Sequence, residues 1–133
     1  MTNDTKFVKQ GVNIMFNRLC KDEPDYTGPT YFMVSDDTTD VDWEDTEFEN
    51  ASDILPDVDR KLLENFVFDE VNGNLDIQGT LSVTEGNGLL IDGVGIINND
   101  SDDKLIAKSK FDGISKTNNE IFKITLRVKG REE

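Results

Sequence analysis

The sequence predicts a mostly β protein, a β-sandwich or barrel-like antiparallel sheet with an N-terminal α-helix. Three observations lead there. Apolar and polar residues alternate over 75–84, 105–111 and 122–128, the period of half-buried strands. Clusters of glycine, asparagine and aspartate punctuate these segments at short intervals. Residues 5–20 instead repeat apolar residues at three- and four-residue spacing, the period of an amphipathic helix. The 133 residues suit one domain: a helix within 1–21, packing on the rest or extending from it, and a β domain over 22–133.

Phe7, Val8, Gly11, Val12, Met15, Phe16 and Leu19 form the apolar face of the expected helix, which Asp4 or Thr5 is placed to cap. Gly11 weakens such a helix by about 1 kcal/mol relative to alanine. Cys20, at the edge of that face, reads as a buried, inert thiol. Pro24, Gly28 and Pro29 mark a turn, and residues 30–34 a short strand. Residues 35–52 form an acidic loop whose larger apolar residues are Val41, Trp43 and Phe48. Trp43, the only tryptophan, is expected to anchor this loop on the core, with an interface role as the alternative.

Residues 57–64 fit one or two helical turns, and 65–68 open a strand. Leu75, Ile77, Gly79, Leu81 and Val83 then point one way along a strand. Gly86-Asn87-Gly88 is a turn. An apolar run, 89–91 and 94–97, is interrupted by Asp92-Gly93. A polar turn at 98–103 leads to the strand 105–111, a loop at 112–119 and the last strand, 122–128. Each of these last two strands has one apolar and one basic face. Paired, they would bring Lys108 and Lys110 close to Lys123, Arg127 and Lys129, and like charges across a sheet destabilise it. A compensating acid is therefore expected, from the acidic loop or from a neighbouring subunit.

The net charge is -14, unevenly spread: residues 22–70 hold 17 acids and 2 bases, residues 104–131 hold 8 bases and 2 acids. Such a chain avoids nucleic acid and anionic membranes. One end is able to neutralise the other, within a subunit or between subunits. Trp43, Lys108, Lys110, Lys123, Arg127 and Lys129 are the candidate interface residues.

Without histidine, and with one cysteine, serine triads, Cys–His dyads and structural zinc sites are excluded in their usual forms. Nothing singles out a catalytic pair among the 28 acids, so no enzyme activity and no cofactor is expected. Asp100, Asp102 and Asp103 are the candidate metal ligands, but they lack EF-hand spacing and read first as a turn. The glycine pairs at 86–88 and 93–95 match no phosphate-binding pattern and read as turns or bulges. No apolar run approaches the roughly 20 residues of a membrane-spanning helix. Residues 1–10 lack the apolar stretch of a signal peptide, and the single cysteine suits a reducing compartment.

The run Gly88-Leu89-Leu90-Ile91-Asp92-Gly93-Val94-Gly95-Ile96-Ile97-Asn98-Asn99-Asp100-Ser101, then Leu105 to Phe111, Ile114-Ser115-Lys116-Thr117 and a closing strand to Val128, resembles small tail-fibre or baseplate-associated proteins of tailed bacteriophages. Pro29 to Val34 and Asp45 to Asn50 are similar to their upstream segments. Relatives carry a glycine-rich loop where Ser35 to Thr38 stand, often glutamate at Asp92, and fewer acids over 36–59. The resemblance implies a non-enzymatic virion component, made in the host cytoplasm and built into the tail in several copies. Its expected partners are other phage tail proteins. Alternatives from other classes are an acidic DNA-mimic inhibitor and a calcium- or carbohydrate-binding β module, in which Trp43, Tyr26 and Tyr31 would stack on sugars.

Overall fold

The computed structural model describes residues 4–99 and 103–129. In chain order these form β1 (Asp4–Phe7), α1 (Lys9–Cys20), β2 (Tyr31–Ser35), β3 (Lys61–Leu62), β4 (Asn65–Asp69), β5 (Asn74–Leu81), β6 (Leu90–Ile97), β7 (Leu105–Ser115) and β8 (Phe122–Lys129). The protein is mostly β, as its alternating segments predict. A five-stranded antiparallel sheet runs in the order β1-β7-β6-β2-β3, and a three-stranded one in the order β4-β5-β8.

Both sheets contribute to one core. Phe32, Val34, Val94, Ile96 and Ala107 come from the large sheet, and Ile77, Leu81, Ile124 and Leu126 from the small one. In β5 the buried positions are Ile77, Gly79 and Leu81, the face expected from alternation.

Several expectations are corrected. Residues 4–7 form an edge strand on β7, so the helix starts only after Val8 and has no side-chain cap. Its buried residues are Gly11 and Ile14, while Phe16 and Leu19 of the expected apolar face are exposed, Leu19 at 80%. The cause is a close approach: a Cβ on Gly11 would lie 2.0 Å from the Ile106 carbonyl oxygen. Only a residue without a side chain fits there, and turning it inward carries Phe16 and Leu19 outward. Cys20 is exposed rather than buried.

Residues 57–64 hold no helix. Val58 N donates to the Leu55 carbonyl at 3.0 Å, and Asp57 has φ 60°. Leu55-Pro56-Asp57-Val58 is thus a tight turn of the kind that proline at its second position favours. The interrupted apolar run is one strand from Leu90 to Ile97, with a bulge between Ile91 and Gly93. The last two strands do not pair: β7 lies between β1 and β6, and β8 pairs with β5. Their basic faces therefore belong to different sheets.

Candidate functional site

The outer face of the large sheet, turned away from the small sheet, carries Met33 and Ile97 beside Gly93 and Gly95. The acidic loop folds over it. Val41, Phe48 and Ala51 pack on Met33, Ile97, Leu105 and Val8. A Cβ on Gly95 would lie 2.6 Å from the Phe48 ring, and one on Gly93 would lie 1.9 Å from Thr38 Oγ1. The two glycines, two positions apart and so on the same face of β6, form a trough in which the loop lies. The loop is also stitched at its C-terminal end and its middle: Ser52 N donates to the Val34 carbonyl at 2.8 Å, and Lys9 N to the Trp43 carbonyl at 2.8 Å.

Lys108 and Lys110 of β7 are engaged by this loop and by Asp92 of β6. Lys108, with its side chain only 3% exposed, lies 2.9 Å from Asp45 Oδ2 and donates to Thr39 Oγ1 at 2.9 Å. Lys110 donates to the Thr38 carbonyl and lies 3.9 Å from Asp92, whose carboxylate accepts from Thr38 N at 2.9 Å. The compensating acids anticipated for these lysines are therefore in the same chain. Trp43 does not anchor the loop on the core; its side chain is 52% exposed, and Phe48 takes that role.

Thr38 Oγ1 is buried without a hydrogen-bond partner. Leaving a hydroxyl unpaired is unfavourable, while a methyl group of the same shape has no such penalty. Thr38→Val is expected to raise stability by about 1 kcal/mol; a destabilised variant in urea titration would contradict this.

Two carboxylates, half-buried Asp45 and buried Glu85, tie stability to pH. Burial pushes Asp45 up, but the hydrogen bond from Lys108, the Asp42 backbone N–H and the lysine charge bring it below its ordinary value. Glu85 behaves alike, with burial opposed by Lys61, 2.5 Å away, and by Ser82. A carboxylate lowered in the folded state contributes stability above its unfolded pKa of about 4, lost as pH falls through the folded value. Denaturation midpoints should therefore be flat above about pH 5 and fall below about pH 4. Glu85→Gln should make the acid slope shallower; an unchanged slope contradicts the assignment.

The open part of the molecule is the small sheet. Every residue of β4 from Asn65 to Phe68 is exposed, Phe68 at 73% and Val71, in the following turn, at 92%. The rows Phe66–Ile77–Leu126 and Phe68–Leu75–Val128 share the core-facing side. The first row runs into the core; in the second, Leu75 and Val128 are half-buried against the core's end, and Phe68 stands clear of it. A hollow of about 430 Å³ opens there, lined by Phe68, Leu75, Val128 and the turn between β4 and β5. Across the sheet, Arg127 forms a two-pronged contact with Asp76 at 2.9 and 3.1 Å. Lys123 is exposed; the Lys129 side chain lies outside the described residues.

A second hollow, of about 370 Å³, lies between α1 and the acidic loop, with Tyr26 and Trp43 on its wall beside Lys9, Gln10, Glu44 and Lys104. Tyr31 is elsewhere, under the Arg60 guanidinium, so the three aromatics considered for sugar stacking are not brought together. Of the candidate metal ligands, Asp103 is paired with Arg60 at 2.6 Å, and Asp100 and Asp102 lie outside the described residues. Among the described residues no group of three or more acids or cysteine is placed to hold a metal ion, and no helix is long and apolar enough to cross a membrane.

Sequence reasoning places a strand at 65–68 but misses that its end is open, because Phe66, Val67 and Phe68 carry no signal of exposure. No family model matches the chain, and neither a curated protein nor a solved structure does.

Proposed function

We propose that this protein is a non-enzymatic docking part, which packs against other polypeptides through the open end of its small sheet. The observation that carries this reading is the exposed apolar surface at that end: Phe66, Val67 and Phe68 of β4 and Val71 in the adjoining turn, with Phe68 beside the half-buried Leu75 and Val128. Contiguous exposed apolar surface on a soluble chain marks a site of association. Lys108, Lys110 and Asp92 of the large sheet are engaged elsewhere, in holding the acidic loop. That leaves them a structural role, and it weighs against a DNA mimic that presents all its carboxylates outward.

The setting that fits best is the tail of a tailed bacteriophage, as a fibre or baseplate component present in several copies. This part of the proposal rests on the sequence resemblance. Light scattering of the purified chain should give a mass above one protomer, or a complex with a larger tail protein. Phe66→Ser with Phe68→Ser should abolish either. A strictly monomeric chain that is absent from purified virions overturns the reading.

A further inference from the structure

We propose that the β4 edge of one copy pairs with the β8 edge of the next, so that the small sheet continues from copy to copy. This rests on the docking reading above and names the occupant of the open end. Among the described residues no strand covers the outward edge of either β4 or β8. Such edges present unpaired N–H and C=O groups, and β4 lacks the charged or proline residues within its first four positions that ordinarily guard one.

Charge selects the pairing. β4 with its two flanking glutamates, Glu64 to Glu70, carries three acids and no base; β8 carries Lys123, Arg127 and Lys129 and no acid. Antiparallel self-pairing of β4 about Val67 would oppose Glu64 to Glu70 and Asn65 to Asp69. Self-pairing of β8 about Thr125 would oppose Lys123 to Arg127. Like charges in direct opposition destabilise a sheet. Pairing β4 with β8 removes both conflicts.

Direction agrees as well. β4 and β8 both run antiparallel to β5, so they run parallel to one another, and a sheet repeated in one sense joins them in parallel. With Asn65 beside Lys123, Asp69 falls beside Arg127. Phe66 and Phe68 then fall beside Ile124 and Leu126, continuing the apolar face. Such a contact joins two different surfaces, so it closes into a ring or extends as a filament.

Two variants with one blocked edge each test this. Phe68→Lys blocks β4 and leaves β8 intact; Lys123→Glu with Thr125→Glu blocks β8 and leaves β4 intact. All three positions are exposed, and thermal melts verify that both variants fold. The expected result by light scattering is an oligomeric parent chain, two monomeric variants, and a heterodimer when the variants are mixed, joined by the two intact edges. A β8-blocked variant that still self-associates, or a mixture that stays monomeric, overturns the pairing. A monomeric parent chain that binds another protein through Phe68 overturns it too, while leaving the docking reading standing.

Discussion

Replacing Lys108 with alanine should lower the stability of the protein by about 3 kcal/mol, the lower end of what removing one partner of a buried ion pair costs. The lysine is almost fully enclosed, and Asp45 is three-quarters covered. Without the ammonium group, the Asp45 carboxylate keeps its desolvation penalty and loses the charge that offsets it. Thr39 loses its hydrogen bond in the same step. The loop, held also by Phe48 over Gly95, should loosen and become sensitive to protease near Asp45. Asp45→Asn combined with Lys108→Met should recover more than half of the loss, since it removes both charges together. Urea midpoints of the single and double variants check this. A change within about 0.5 kcal/mol for Lys108→Ala would mean that the pair contributes no more than a surface contact.

The second large effect is expected at Gly11. On helix propensity alone, Gly11→Ala should stabilise α1 by about 1 kcal/mol. The structure reverses the sign, because the added carbon meets the Ile106 backbone at 2.0 Å, and a strand in the middle of a sheet does not give way as a flexible side chain does. The helix must lift from β7, opening the contact made by Ile14. The net loss should be about 2–3 kcal/mol. Asn13→Ala, on the exposed side of the same helix, should be neutral or slightly stabilising and serves as the control. Stabilisation by Gly11→Ala would contradict the close approach.

Much of the strand content was legible in the sequence. The alternation of Leu75, Ile77, Gly79 and Leu81, and of Phe122, Ile124, Leu126 and Val128, fixes which side of each strand is buried. Alternation says nothing of which strand lies alongside, so the neighbours of β7 and β8 were not accessible from it. Lys108 and Lys110 require a compensating acid on charge grounds alone; that it comes from within the chain, with a loop some 60 residues earlier covering them, rather than from a neighbouring subunit, is a long-range fact. A signal for the cover was present: Gly93 and Gly95, on one face of an otherwise apolar run, leave room for something to lie against the strand. The helix face departs from its apolar pattern for a related reason: Gly11 costs helix propensity by its sequence, and in the fold it is the point of contact with β7. The apolar run at 66–68 gave no sign of exposure, because core strands and docking strands share the same residues.

Hydrogen exchange measured at rising protein concentration tests most directly the idea that this chain works by association through its small sheet. As association proceeds, exchange should slow across Asn65–Asp69 and across Phe122–Lys129, where open edges become paired. The amides of β6 and the centre of β7, already enclosed, should not change. Association that leaves β4 exchange unaltered, or that protects the exposed Phe16 and Leu19 side of α1 instead, would contradict it.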